Sequence, residues 1–143
     1  MNLIAWSQNM TRESAKAAGA LLVSKNQLFE RADILTIHLV LSGRTRSLVG
    51  TTELERMKPT ALLINASRGP IVEEQALIGL LKNKQIAGAA IDVFDIEPLP
   101  PSHPFRTLDN VLATPHIGYV AKGLYETFYE DTVSNIRKWL ETH

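Results

Sequence analysis

Cysteine is absent from this 143-residue sequence, which excludes disulfide bonds and a cysteine nucleophile. An excess of either charge is absent too, because 15 Lys and Arg residues balance 15 Asp and Glu residues. Nothing therefore predicts binding to nucleic acid or to an anionic membrane. No apolar run has the length of a membrane span, residues 1–9 lack the pattern of a signal peptide, and the four histidines are too scattered for a metal cluster. We expect a soluble, cytoplasmic protein of one domain with no metal site.

A regular alternation of apolar runs and helical patterns extends along the whole chain. This alternation is typical of βα units that feed a parallel sheet buried on both faces. It predicts an α/β fold with one open, mostly parallel, Rossmann-like sheet flanked by helices. The run at 33–41 is so continuously apolar that we place it in the middle of the sheet, and Gly88 predicts close packing against a helix or a cofactor. Five or six strands are predicted, from runs at 3–6, 20–23, 33–41, 61–65, 86–94 and 111–113.

Capping residues mark the predicted helix boundaries. Thr11 can cap a helix that continues through Ala18 and is closed by Gly19. Ser24 and Gln27 have the spacing of a capping box before a second helix. The remaining predicted helices open at Thr52 with Glu55, at Glu73 with Glu74, and at Ala121, the last being long and amphipathic to the end of the chain.

Three segments with chemically active side chains lie at the carboxyl ends of the last three predicted strands. They are NASRGPIV at 65–72, AAIDVFDIEPLPPSHPF at 89–105 and TPHIGY at 114–119. Ligands of open parallel sheets bind beyond the carboxyl ends of the strands. We therefore expect Arg68, Glu97 and His116 to lie close together at that edge, although they are distant in sequence.

In this order and spacing, the three segments resemble the signatures of the NAD(P)-dependent D-2-hydroxyacid dehydrogenase family. The resemblance covers essentially the whole chain, as most of a nucleotide-binding domain. Three ordered motifs are far more specific than a single fingerprint. The resemblance implies hydride transfer between NAD(P)H and a small 2-keto or D-2-hydroxy acid, with NAD or NADP as the cofactor.

The resemblance also implies a role for each catalytic candidate. Arg68 would hold the carboxylate of the substrate, for which a planar guanidinium offers two parallel charged hydrogen bonds. His116 would be the general acid and base, and Glu97 would orient its ring and favour the protonated imidazole. Taken singly, each residue has an ordinary alternative: a surface ion pair for Arg68, a loop histidine for His116 and a surface turn for Glu97.

Cofactor contacts are implied at six further positions. Asp92 matches the position that bonds the nicotinamide end of the cofactor, with capping of the following turn as its alternative. His38 corresponds to a histidine near the dinucleotide, but the segment HLVLS lacks the proline of the family motif, so an ordinary strand-end histidine fits equally well. The same resemblance gives His103 no role, and we expect it to be a solvated loop residue. The other cofactor-binding candidates are Ser7, Ala66, Ser67 and Gly118.

The chain departs from the family pattern at two places. The glycine-rich turn that cradles the pyrophosphate normally precedes the first strand, and the substrate-facing domain normally precedes that turn. Neither is present, so we expect a partial NAD(P)-binding domain that lacks its first βα unit and is inactive in isolation. Where the family usually has an acidic residue for the adenosine ribose, this chain has the neutral Ser7 followed by Arg12, which leaves NADP open.

Several alternatives follow from these departures. The chain is consistent with a shortened gene model, an expressed fragment or a natural remnant. A non-catalytic module that senses cofactor or binds proteins is the alternative function, because some relatives of the family use the nucleotide domain in this way. Since a truncated sheet would expose apolar surface, we expect a homodimer formed through the long C-terminal helix.

Overall fold

The computed structural model describes residues 1–142, in which strands and helices alternate as predicted. The α/β fold class is confirmed: parallel strands carry helices between them in a Rossmann-like order. Two short 3₁₀ helices, Gly69–Ile71 and Pro104–Arg106, interrupt the loops near the carboxyl edge. The main elements are β1 (Ile4–Ala5), α1 (Arg12–Ala17), β2 (Leu21–Leu22), α2 (Lys25–Arg31), β3 (Ile34–Ile37), α3 (Thr51–Leu54), β4 (Leu62–Asn65), α4 (Glu74–Lys82), β5 (Gly88–Ile91), β6 (Val111–Ala113) and α5 (Lys122–Thr142).

The six strands form two sheets, so the prediction of one sheet was wrong. β1 pairs with β2 through a two-residue register, Ile4 with Leu21 and Ala5 with Leu22. The other four strands form a separate parallel sheet in the order β3-β4-β5-β6. Among the described residues no strand pairing joins the two sheets, and β2 and β3, although consecutive in sequence, are not hydrogen-bonded to each other.

The placement of 33–41 in the middle of the sheet was also wrong. Only Ile34–Ile37 is strand, and it lies at the edge of the four-stranded sheet. Its side chains alternate between exposed and buried, with Ile34 exposed by 55% and Leu35 by 4%. The continuous apolar run misled because its second half, from His38, leaves the ladder and lines a cleft at the carboxyl edge.

The core lies on one face of the four-stranded sheet. There Leu35, Ile37, Leu63 and Ile91 pack against the helices α2, α3 and α4, whose buried residues include Phe29, Leu54, Leu77 and Leu81. The opposite face is exposed at Ile34, Leu62 and Leu112, so the expectation of burial on both faces was wrong within residues 1–142. Gly88 packs closely, but against backbone: a Cβ there would lie 2.6 Å from the Asn110 carbonyl oxygen.

The first two helix caps are confirmed. The Thr11 side chain accepts a hydrogen bond from the Ser14 N–H at 3.1 Å, and Gly19 follows α1 with a φ of +71°. Ser24 and Gln27 form their reciprocal capping box, with distances of 3.2 and 3.1 Å.

The third cap differs from the prediction of Thr52 with Glu55. Gly50 is the N-cap of α3, and its N–H donates to Glu53 Oε2 at 3.0 Å. A glycine without a side chain can fill this position because Glu53 supplies the acceptor from within the first turn. Glu53 also accepts from Lys25 Nζ at 2.9 Å.

Helix α5 is long and amphipathic, as predicted, but none of its residues is buried. Its exposed apolar side chains are Leu124, Tyr125, Phe128, Tyr129, Val133, Ile136, Trp139 and Leu140. Across residues 1–142 no helix has both the length and the apolar character that crossing a bilayer requires. The cytoplasmic location stays a prediction.

Candidate active site

His116 and Glu97 form a hydrogen-bonded pair at the carboxyl edge of the four-stranded sheet. His116 Nδ1 lies 2.7 Å from Glu97 Oε2, and each side chain is 36% exposed. Because an ionised carboxylate only accepts, Nδ1 must carry the proton in this contact. The other ring nitrogen, Nε2, has no hydrogen-bond partner among residues 1–142, so it is available to a ligand.

The backbone at His116 adopts an unusual conformation for a residue with a side chain. Its φ is +54°, in the left-handed region that only a small share of non-glycine residues occupy. The turn is closed by the His116 N–H, which donates to the Thr114 carbonyl at 3.0 Å. Left-handed backbone costs roughly 1–2 kcal/mol per residue, so the surrounding contacts must hold the loop in place.

Glu97 is anchored at both carboxylate oxygens. Oε2 contacts His116, and Oε1 accepts the Phe94 N–H at 2.9 Å. Burial acts to raise the pKa of Glu97, but these two hydrogen bonds and the nearby His116 and Arg68 charges hold it below its ordinary value. The carboxylate is therefore ionised near neutral pH and can stabilise a positive imidazole beside it.

Asp92 fixes the loop that carries His116. Its Oδ1 accepts from the Thr114 hydroxyl at 2.6 Å and from the Ile117 N–H at 2.9 Å, and its Oδ2 accepts from the Gly118 N–H at 2.8 Å. Burial acts to raise the pKa of this carboxyl group, which is only 7% exposed. The three hydrogen bonds and the nearby His116 charge outweigh burial, and the pKa lies below its ordinary value.

Gly118 allows this close approach of loop and carboxylate. A Cβ at position 118 would lie 2.9 Å from Asp92 Oδ2. Any larger residue would therefore push the loop away from its anchor. The turn-capping role that the sequence left open for Asp92 is present, and its carboxylate, with about four acceptor sites, keeps capacity for one more donor.

Arg68 lies on a second loop, directly after β4. Asn65 shapes this loop: its Nδ2 donates to the Arg68 carbonyl at 3.0 Å and its Oδ1 accepts the Ser67 N–H at 3.1 Å. The Ser67 hydroxyl donates to the Leu39 carbonyl. Arg68 itself is exposed and its Nη1 donates to the Ser67 carbonyl at 2.6 Å, which leaves the rest of the guanidinium fork open to a carboxylate.

Four of the predicted site residues line one cleft of about 400 Å³, which lies between the segment 38–41 and the Arg68 loop. His38 opens it and bonds to the Thr36 hydroxyl through Nε2 at 3.0 Å. The full lining is His38, Leu39, Val40, Leu41, Ala66, Ser67 and Arg68.

Ser7 lies apart from both clusters, in the loop after β1, where its carbonyl accepts from the Met10 N–H at 3.2 Å. Ser7 is not among the residues that line the cleft, and Arg12 is exposed at the start of α1. No group of three His, Cys, Asp or Glu side chains suited to a metal ion occurs in residues 1–142.

Sequence reasoning missed the residues that support the site. Asn65 is 2% exposed yet polar, and a polar residue ending an apolar strand was the signal for it. Thr114 gave no local signal, since its partner Asp92 is 22 positions away. Tyr119, with its ring edge-on 6.2 Å from His116, belongs to the quoted TPHIGY segment but received no role.

His103 is not the solvated loop residue that we expected. Its side chain is 13% exposed, and Nε2 lies 3.1 Å from Glu74 Oε1. The ring lies 4.9 Å from that of Phe105, a buried residue. Packing on Phe105 removes the imidazole from water, which a proline-rich sequence does not reveal.

Comparison with known proteins shows which family has this fold and these motifs. Residues 1–118 match the family described as D-isomer specific 2-hydroxyacid dehydrogenase, NAD binding domain. The chain belongs to this family. It is 46% identical over 116 residues to the glyoxylate reductase of Aeropyrum pernix, covering 81% of this chain and 35% of the reductase. It is 41% identical over 119 residues to the D-3-phosphoglycerate dehydrogenase of Methanocaldococcus jannaschii, covering 82% of this chain and 22% of that enzyme.

Solved structures agree with this membership. A phosphoglycerate oxidoreductase from Vibrio cholerae superposes with a TM-score of 0.91 at 35% identity, covering 100% of this chain and 46% of that one. A 2-hydroxyacid dehydrogenase from Xanthobacter autotrophicus, in complex with NADPH, gives 0.64 at 40% identity over 67% of this chain and 31% of its own. One from Lactobacillus delbrueckii, in its NAD-complexed form, gives 0.72 at 28% identity over 84% of this chain and 40% of its own. The chain thus spans less than half the length of the relatives it matches.

Proposed function

We propose that these residues form part of the NAD(P)-binding domain of an oxidoreductase that interconverts a small 2-keto acid and a D-2-hydroxy acid. The observation that carries the proposal is the 2.7 Å contact between His116 Nδ1 and Glu97 Oε2. It leaves Nε2 as the nitrogen that gives a proton to the developing alkoxide and takes it back in the reverse reaction. Positioned acid–base groups of this kind typically contribute about 10²–10⁴-fold to the rate.

Arg68 is proposed to bind the substrate carboxylate. Its guanidinium is exposed beside the cleft and uses Nη1 for the Ser67 carbonyl, so Nη2 and Nε can form the parallel pair of bonds that a carboxylate accepts. Its charge acts on Glu97, which supports a location near the histidine. The substrate would then lie between a fixed cation and a proton donor.

The residues present fit the nicotinamide end of an NAD or NADP cofactor. Asp92 Oδ2 accepts one protein hydrogen bond, from the Gly118 N–H, and can take another donor. The cleft lined by His38, Ala66 and Ser67 gives further contact surface. When bound, the cofactor supplies or accepts the hydride. Ser7 carries no charge that would repel a 2′-phosphate, so we propose either cofactor, and calorimetric titration with NADH and NADPH measures the preference.

A chimera tests the chemistry in a complete enzyme. The 116 matched residues of the Aeropyrum pernix glyoxylate reductase are replaced by those of this chain, and glyoxylate reduction is followed with NADH and NADPH. We expect activity in the chimera and a loss of about 10²–10⁴-fold in kcat on His116→Gln. Lys84→Gln, on an exposed ion pair with Asp109, is the matched control and leaves kcat unchanged. Near-normal turnover by the His116→Gln chimera would rule out the acid–base role.

The 143-residue chain alone is proposed to be inactive. His116 and Glu97 are each 36% exposed, and water weakens the electrostatic and positional effects on which catalysis depends. Measurable oxidation of NADH or NADPH by this chain with pyruvate, glyoxylate or hydroxypyruvate would contradict the proposal.

A role in protein interaction is favoured by one observation, the exposed apolar stripe of α5. Its eight large side chains are between 42 and 67% exposed. Half-exposed side chains of this size present roughly 100 Å² each, and eight of them approach the ~800 Å² that each partner contributes to a standard interface. We propose a second copy of the chain as the occupant. Light scattering that finds a monomer at high concentration would refute this, as would a dimer unaffected by Phe128→Glu.

A further inference from the structure

The hydrogen-bonded pair of His103 and Glu74 lies outside the site described above, yet it is well shielded from solvent. The two side chains are 13% and 16% exposed, with 3.1 Å between His103 Nε2 and Glu74 Oε1. His103 Nδ1 accepts the Phe105 N–H at 3.3 Å, so in the neutral ring Nε2 carries the proton and donates to Glu74. Both ring nitrogens are thus engaged and the ring cannot turn freely.

The pair connects the two loops that carry the candidate catalytic residues. Glu74 begins α4, at the end of the segment that contains Arg68. His103 lies at the end of the segment that contains Glu97. We call the hydrogen-bonded pair the 74–103 clasp. It joins the far ends of both segments.

The near ends of the same segments are already in contact. A Cβ at Gly69 would lie 2.2 Å from the Phe94 carbonyl carbon, so the backbones touch there. Phe94 in turn donates its N–H to Glu97. With one contact at Gly69 and the other at the clasp, the Glu97 loop is held against the Arg68 loop at two points.

Asp95 interacts electrostatically with both members of the clasp and with Arg46. Partial burial raises the pKa of Asp95, and the charge of Glu74 raises it further, whereas Arg46 and His103 act in the opposite direction. Arg46 lies on the segment after β3, and Asp95 on the segment after β5. Groups from three successive loops therefore interact electrostatically around the clasp.

We propose that His103 and Glu74 are positioning residues, which set the place of Glu97, and through it of His116, relative to Arg68. This inference rests on the proposed function, but neither residue touches the reacting groups. Fold stability alone does not require the pair, because apolar side chains of the same shape can replace both partners of a hydrogen bond at little cost. Phe105 and its neighbours already supply apolar packing at this place.

The test measures local opening in the 143-residue chain. Amide hydrogen exchange is followed by NMR at the Phe94 N–H, which bonds to Glu97, and at the amides of β4 as a reference for global unfolding. His103→Phe keeps a ring against Phe105 and removes both hydrogen bonds. We expect the Phe94 amide to exchange about tenfold faster, a change of the size that ordinary hydrogen bonds contribute, while exchange in β4 is unchanged.

Two variants make the result specific. His103→Gln keeps a donor that can reach Glu74, so it is expected to restore slow exchange at Phe94. Asp109→Asn removes the exposed ion pair with Lys84, which joins the turn after α4 to the segment before β6, and is expected to change nothing at Phe94. Unchanged exchange at Phe94 in His103→Phe overturns the proposal, and so does an equal acceleration at Phe94 and in β4. This readout needs no turnover, so an inactive chimera with a responsive Phe94 amide would refute only the proposed function.

Discussion

Replacing Asp92 by asparagine tests how strongly one buried carboxylate holds the His116 loop. Asp92 accepts three hydrogen bonds, from Thr114 at 2.6 Å and from the N–H groups of Ile117 and Gly118 at 2.9 and 2.8 Å. If the Asn oxygen keeps the first two, its NH₂ group faces the Gly118 N–H, and that donor loses its partner.

The magnitude follows from these contacts. An unsatisfied donor costs about 1–3 kcal/mol, and each of the two remaining bonds loses roughly 1 kcal/mol when its acceptor is no longer charged. We therefore expect Asp92→Asn to lower the free energy of unfolding by about 3–5 kcal/mol, which corresponds to a fall in Tm of roughly 10–20 °C for a domain of this size.

The pH dependence of stability provides a second test of the contribution of Asp92. Because the folded-state pKa of Asp92 lies below its ordinary value of 3.8, its ionised form contributes stability above that pH. The contribution is lost as the pH falls through the lower folded-state value. The difference between the two proteins is thus full at pH 7 and shrinks below about pH 4.

Urea unfolding followed by circular dichroism, at pH 7 and at steps down to pH 3, measures both effects. Asp109→Asn is the control, because Asp109 pairs with Lys84 at the surface, and it is expected to show a much smaller change at pH 7. The reasoning is refuted if Asp92→Asn unfolds at the same urea concentration as the control, or if its deficit is independent of pH.

Two further substitutions test packing around the site. Gly69→Ala places a Cβ 2.2 Å from the Phe94 backbone, so we expect the free energy of unfolding to fall by about 3 kcal/mol or more. Gly79 lies inside α4, and a Cβ there would meet nothing within 4 Å. We therefore expect Gly79→Ala to raise the free energy of unfolding by about 0.5–1 kcal/mol, and the Tm with it. Equal thermal melting of the two variants would contradict this. Thr114→Val removes the 2.6 Å bond to Asp92 and should cost about 1–3 kcal/mol by the same unfolding assay, and a stability equal to the parent chain would count against that bond.

The elements that could be predicted from sequence are those with local signals. The strand Val111–Ala113 has the predicted bounds, and the caps at Thr11 and Ser24 form the predicted hydrogen bonds. Each depends on a few neighbouring residues. The order of the strands could not be predicted from local signals, because it depends on which distant segments pair. The edge position of β3 is an example.

The candidate site shows the same difference between local signals and contacts of distant residues. Its principal residues lie in segments with recognisable patterns, and the expected contact of Glu97 with His116 is present, although their roles stay predictions. The contacts of Thr114 with Asp92 and of His103 with Glu74 were missed because they join residues far apart in sequence, at separations of 22 and 29 positions. A proline-rich composition predicted solvent for His103, and only packing against Phe105 reverses that.

The left-handed backbone of His116, with φ at +54°, has a consequence for selection experiments on this chain. Glycine and asparagine adopt that conformation more easily than histidine. A library randomised at position 116 and selected for thermal resistance alone should therefore become enriched in Gly and Asn. Selection of the same library for turnover in the chimera should return His, so the two selections would separate the demands of folding from those of function at one residue.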